Sequence, residues 1–166
     1  MSEYKSKQEI NNELCEACMY DDNLEKIDFL LSNGANINHK NIFGNSPIIL
    51  ATFMGSIEIT EKLILNGAFI NDKNNNKETP IILASIHGYI EIIQLLLSCG
   101  ANINDKNKYN RTPIMEASKH GYIEIVKVLQ KWPLTMCIIV LQELLVYHHF
   151  DCESFIDFNE YFGTIV

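Results

Sequence analysis

The sequence predicts an all-α solenoid of stacked helix–turn–helix units, and three observations predict it. Ser46-Pro47-Ile48-Ile49-Leu50-Ala51 returns as Thr79-Pro80-Ile81-Ile82-Leu83-Ala84 and again as Thr112-Pro113-Ile114-Met115-Glu116-Ala117, each step 33 residues. Gly34-Ala35-Asn36-Ile37-Asn38 returns at Gly67 and Gly100. Gly55-Ser56-Ile57-Glu58-Ile59 returns at Gly88 and Gly121. Three markers keep one period without slipping, and a period in this range means stacked supersecondary units that bury a shared core.

The elements follow in order. Ser6-Lys7-Gln8-Glu9 has capping-box spacing, and Ile10, Leu14 and Cys18 then lie on one helical face. Asp22-Asn23-Leu24-Glu25 starts a second helix in the same way, with Leu24, Ile27, Leu30 and Leu31 apolar and a stop before Gly34. This pair (7–40) lacks the Thr-Pro marker and reads as a degenerate first unit, of the kind that keeps the end of a solenoid from exposing an apolar face.

The three full units are 41–73, 74–106 and 107–132. In each, Ser46, Thr79 or Thr112 stands at an N-cap and Pro47, Pro80 or Pro113 at the first helical position, where a missing N–H costs nothing. A short helix runs to Gly55, Gly88 or Gly121, which can end it in the left-handed conformation. A second helix follows over Ile57–Leu65, Ile90–Leu97 and Ile123–Leu129. Gly67 or Gly100 closes it, and a turn-rich stretch of Asn, Asp, Lys and Gly leads to the next Thr-Pro.

After Leu129 the pattern breaks into Gln130-Lys131-Trp132-Pro133. Two further amphipathic segments follow, one with Ile138, Leu141, Leu144 and Leu145, the other with Phe155, Phe158 and Phe162. The expectation for 133–166 is a C-terminal helical cap that packs on the third unit.

Composition sets bounds on function. Apolar residues make up 47% of the chain, enough for a core. The net charge of −8 argues against general nucleic-acid binding. That charge is uneven: residues 1–34 carry three basic and eight acidic side chains, residues 100–132 six basic and three acidic, and residues 133–166 five acidic and none basic. A third unit that prefers an acidic partner follows from that contrast. Five cysteines, an odd number without framework spacing, fit a reduced, intracellular protein, cytoplasmic rather than nuclear. No apolar run reaches 18 residues, and no membrane role is expected.

Catalytic signatures are missing. There is no phosphate loop, no nucleophile elbow and no carboxylate pair on a shared face. His148, His149, Asp151 and Cys152 lack a second spaced cluster and read as a polar helix end. Cys15 and Cys18 have no following βα pattern and read as small helix-core residues. His87 and His120 recur with the repeat and read as surface positions. Neither an enzyme nor a cofactor or metal is expected.

Thr-Pro-Ile, Ala, Gly and Gly-Ala-Asn-Ile-Asn at this period resemble the ankyrin repeat, strongly over Gly34–Leu129 and weakly over residues 7–33. That resemblance implies units of a hairpin-like loop followed by two antiparallel helices. Two departures stand out. The family often has His two residues after the Pro, tying units together by hydrogen bonds; here stand Ile49, Ile82 and Met115, so packing must replace those bonds. The loop glycine survives as Gly44 only, with Lys77 and Asn110 at the equivalent places.

The resemblance also implies a non-catalytic scaffold that binds a protein on the concave surface of loop tips and inner helices, and that is monomeric by itself. Carried over position by position, its contact residues are Ile42, Phe43, Asn45, Phe53 and Met54 in the first full unit. In the second they are Asn75, Asn76, Glu78, Ile86 and His87, and in the third Lys108, Tyr109, Arg111, Lys119 and His120. Ile42, Phe43, Phe53, Met54 and Ile86 are large and apolar where such positions are normally solvated, which marks an interface; their packing together as core is the rival reading. The tail resembles those of viral and protist repeat families. In some viral members a C-terminal helical segment recruits a ubiquitin ligase through an F-box-like motif, which gives the alternative function. Trp132-Pro133-Leu134 is a poor match to the start of that motif. The family is also modified by asparagine hydroxylases at the place of Asn38, Asn71 and Asn104.

Overall fold

The structure is a computed structural model, and it describes residues 6–20 and 24–132. The chain divides into two compact units, Met1–Gln130 and Lys131–Val166. The first is described below. The expected tail helices of 133–166, with Pro133-Leu134 and the His-Asp-Cys group, and the Asp22 cap lie outside the described residues.

Among the described residues all regular structure is helical: α1 (Lys7–Ala17), α2 (Leu24–Ser32), α3 (Pro47–Met54), α4 (Ile57–Leu65), α5 (Pro80–His87), α6 (Ile90–Ser98), α7 (Pro113–Lys119) and α8 (123–132). Consecutive helices pair as α1–α2, α3–α4 and α5–α6, while α3 packs on α5, α5 on α7, and α4 on α6. Two rows of helices therefore run through the array, one of first helices and one of second helices.

The core sits between these rows. Leu14, Ile27, Ile48, Ile49, Ile59, Leu63, Ile81, Ile82, Ile93 and Leu96 are fully buried. Each stabilises the fold by roughly 1.5–3 kcal/mol relative to exposure. Ile49 and Ile82, which stand in place of the resembled family's His, are buried in α3 and α5, two helices that pack on each other. Met115, the third residue at that place, is exposed. Cys15 and Cys18 are core residues of α1 and its C-cap; burial pushes their thiols up to about 11 and about 12, with Glu16 adding to the first and Cys15 to the second.

Helix ends follow the expected grammar with two corrections. Ser6 and Glu9 form the reciprocal capping box of α1. Gly55 and Gly88 end α3 and α5 at φ 83° and 84°. In the third unit His120 is the C-cap and Gly121 turns left-handed just beyond it. Ser46, Thr79 and Thr112 occupy the N-cap positions, but their side chains make no capping bond. The Ser46 and Thr79 hydroxyls are buried without a hydrogen-bond partner. The helix starts there depend on Pro at the first position and on packing. Ser56 caps α4 through its side chain instead. At the equivalent positions of the next units stand Tyr89 and Tyr122, which lie against the preceding unit: a Cβ on Gly55 would come within 2.7 Å of the Tyr89 ring, and one on Gly88 within 2.8 Å of Tyr122.

Units are also joined side by side. The Asn38 side-chain oxygen accepts from Phe69 N–H (2.9 Å) and its amide donates to Gly67 O (3.4 Å). Asn71 makes the same pair with Asn102 and Gly100. Lys40 bridges to Asp72 (2.6 Å), and Lys73 to Asp105 (2.8 Å).

Candidate functional site

Three asparagines, one period apart, build the loops that carry the candidate surface. Asn41 Oδ1 accepts from the N–H groups of Phe43 and Asn45, both at 3.0 Å. Asn74 does the same for Asn76 and Glu78, and Asn107 for Tyr109 and Arg111. Each backbone folds back on itself, through Asn41 N–H to Asn45 O and its two counterparts. The turn closes on a left-handed residue: Gly44, Lys77 at φ 59° or Asn110 at φ 58°. Asparagine tolerates that conformation by local hydrogen bonding, while lysine is strained by about 1 kcal/mol or more. The loop asparagines were not singled out from the sequence, although their spacing at 41, 74 and 107 was a sufficient signal.

Successive loops are tied tip to tip. Asn75 N–H donates to Phe43 O (3.2 Å), and Lys108 N–H donates to Asn76 O (2.8 Å). Side chains reinforce this: Asn75 Nδ2 donates to Ile42 O and Lys108 Nζ to Asn76 Oδ1. These bonds bring Ile42, Phe43, Asn75, Asn76 and Lys108 together at the loop tips.

The first unit's part of that surface is apolar. Ile42 is 87% exposed and Phe43 65%, both at the loop tip. Phe53 (49%) and Met54 (46%) lie at the end of α3, and Asn45 is half-buried. Ile86 departs from the expectation of exposure: it is half-buried in α5. Phe53 meets His87 edge to face at 5.1 Å, and His87 stacks on Tyr89 at 5.7 Å. His87 thus sits in an aromatic clamp between two units. Burial lowers its pKa, and the neighbouring His120 lowers it further against a smaller opposing effect of Glu78. In the second unit, Asn75 is exposed, while Asn76 and Glu78 are half-buried, and the Glu78 carboxylate accepts from the side-chain amides of both Asn74 and Asn76.

The third unit's part is basic. Lys108 and Arg111 flank the Tyr109 ring at 5.1 and 5.9 Å, within cation–π range. Lys119 and His120 are exposed at the end of α7, and His120 stacks on Tyr122.

The residue that organises this cluster was not among the expected contacts. Glu116 replaces the leucine of Leu50 and Leu83 and is only 3% exposed. Its Oε1 accepts from Asn107 Nδ2 at 2.8 Å. Arg111 Nη1 lies 3.7 Å from the carboxylate, Lys119 Nζ 3.9 Å and His120 Nε2 4.0 Å. One buried anion thus binds the loop asparagine and gathers three basic groups. The break in the Leu-Ala motif was the legible sign.

No group of three or more His, Cys, Asp or Glu side chains with metal-holding geometry occurs among the described residues. No helix among them is long and apolar enough to cross a membrane.

No curated protein matches the chain at a significant level. A family model described as ankyrin repeats (3 copies) matches residues 14–107, more than half of the sequence. With the repeated loops and paired helices already described, this chain belongs to the ankyrin repeat family.

Proposed function

We propose that the chain is a non-catalytic scaffold that binds a protein segment along the loop tips and the adjoining ends of α3, α5 and α7. Ankyrin repeats are in general protein–protein interaction modules. The observation that carries the finer reading is the division of chemistry across equivalent positions. The first unit presents Ile42, Phe43, Phe53 and Met54, and the third presents Lys108, Tyr109, Arg111, Lys119 and His120. Exposed aromatic and methionine side chains are the usual anchors of an interface, and a basic rim selects a partner of opposite charge. The partner segment accordingly carries apolar side chains over the first unit and acidic ones over the third.

Affinity measurements on a partner captured with this chain test the reading. Phe53→Ala with Met54→Ala should weaken binding at least tenfold at all salt concentrations. Arg111→Glu should weaken it in a salt-dependent way. Unchanged affinity for both variants, with the fold intact, refutes this surface assignment.

A further inference from the structure

The tip-to-tip ladder of the loops has an open end. Its donors are Asn75 N–H and Lys108 N–H, each bonded to the carbonyl of the preceding loop. The third donor in the same register, 33 residues earlier, is Ile42 N–H. Among the described residues nothing accepts from it. The reason lies in the sequence of the first unit. Counting back one period from the loop 41–44 gives residues 8–11, which belong to α1. Asn11 there accepts from Asn36 N–H (2.7 Å) instead of folding a loop. Among the described residues the degenerate unit supplies helices but no loop tip, and none of them covers the Ile42 edge, whose side chain is 87% exposed.

That edge also carries the wrong side chains for a protected end. Exposed edges are normally blunted by charge or proline. The third loop has Lys108 at the equivalent position, whereas the open one presents Ile42 and Phe43. An N–H donor held in a rigid turn beside two exposed apolar side chains is complementary to one thing: an extended backbone whose carbonyl accepts from the donor and whose apolar side chain covers Ile42 and Phe43.

We propose that the Ile42–Phe43 edge extends the loop ladder by pairing with an extended, uncharged apolar segment of a partner protein. This deepens the proposed function and rests on it, because it adds backbone pairing at one end of the same surface.

The turn permits a clean test. Gly44 N–H bonds to Asn41 O at 2.8 Å, which places Ile42 second in a four-residue turn, where proline is well tolerated. Ile42→Pro therefore removes the N–H while keeping the turn, and thermal unfolding checks that the fold survives. Linear peptides selected from a random displayed library on the full chain serve as probes. Their affinities are then measured on the wild type, Ile42→Pro, Ile42→Val and Phe53→Ala.

The expected result is a loss of about three- to tenfold for Ile42→Pro, the worth of one hydrogen bond. Ile42→Val should stay near the wild type, and exchange of the Ile42 amide should slow in the complex. Equal affinity for Ile42→Pro overturns the proposal, as does a library that yields no binding peptide. A free chain whose Ile42 amide is already protected, or that self-associates through this edge, overturns it too. Sensitivity to Phe53→Ala without sensitivity to Ile42→Pro leaves the proposed function standing and removes only the edge.

Discussion

Replacing Gly88 by alanine tests how the second and third units are locked together, because two costs meet at one atom. Gly88 has φ 84°, where any L-residue is strained. That strain is worth about 1–2 kcal/mol. The new Cβ would also lie 2.8 Å from Cζ and 3.0 Å from Cε1 of the Tyr122 ring, inside van der Waals contact. The ring must move, and crowding of this kind costs about 1–3 kcal/mol. Gly67 isolates the first cost: its φ is 88°, yet an added Cβ meets nothing within 4 Å. Gly67→Ala should therefore lose about 1–2 kcal/mol and Gly88→Ala about 2–5 kcal/mol. Urea unfolding followed by circular dichroism and by tyrosine fluorescence measures both. At a slope of about 2 kcal/mol per molar urea, the midpoints of the two variants should differ by about 0.5–1.5 M. Adding Tyr122→Ala should shrink the penalty of Gly88→Ala toward that of Gly67→Ala. Equal penalties at the two glycines, or a Gly88 penalty untouched by removal of the ring, would refute the idea that the tyrosine before the second helix of one unit keys into the glycine ending the first helix of the unit before.

Other outcomes follow from the same geometry. Lys77→Asn should raise stability by about 0.5–1 kcal/mol, since Asn110 shows the residue that this loop position tolerates; urea midpoints check it. Asn71→Ala removes the acceptor of Asn102 N–H and the bond to Gly100 O, and should cost about 1–2 kcal/mol in the same assay. For His87, the folded state holds the pKa below the ordinary value near 6.5 because burial disfavours the imidazolium. Its contribution is complete above pH 6.5 and is lost as the pH falls through the lowered folded value. Stability compared at pH 7.5 and 5.5 should fall less for His87→Gln than for the wild type. Alkylation read peptide by peptide should label Cys99 well before Cys15 and Cys18, whose buried thiols stay protonated.

The frame was legible because its physics is local and repeated. Pro47, Pro80 and Pro113 announce helix starts through a fixed φ, and Gly55 and Gly88 announce helix ends through a left-handed one. Ile49 and Ile82 announce burial through periodicity. What escaped the sequence depends on contacts between units. The hydroxyls of Ser46 and Thr79 have the right chemistry for capping, yet packing leaves them unbonded. Ile86 has the spacing of an exposed residue but is half-buried in α5. Glu116 reads as a surface acid by composition. It is buried only because Asn107 and the surrounding basic groups compensate it, a property of three-dimensional neighbours. Its substitution by leucine, the residue at Leu50 and Leu83, leaves the buried Asn107 amide without its acceptor and should cost about 1–3 kcal/mol, while releasing Arg111 and Lys119 from their counter-ion.

The central claim is that the repeated residues fold the chain while the residues that differ at equivalent places select its partner. Transplanting the first unit's tip chemistry onto the third tests this most directly. In the variant Lys108→Ile with Tyr109→Phe and Arg111→Asn, those three positions copy Ile42, Phe43 and Asn45 of the first unit. Calorimetric titration against the captured partner measures the effect. The account predicts an unfolding free energy within about 1 kcal/mol of the wild type, together with at least tenfold weaker binding whose salt dependence is largely gone. A variant that binds as tightly as the wild type, with the same salt dependence, would contradict it.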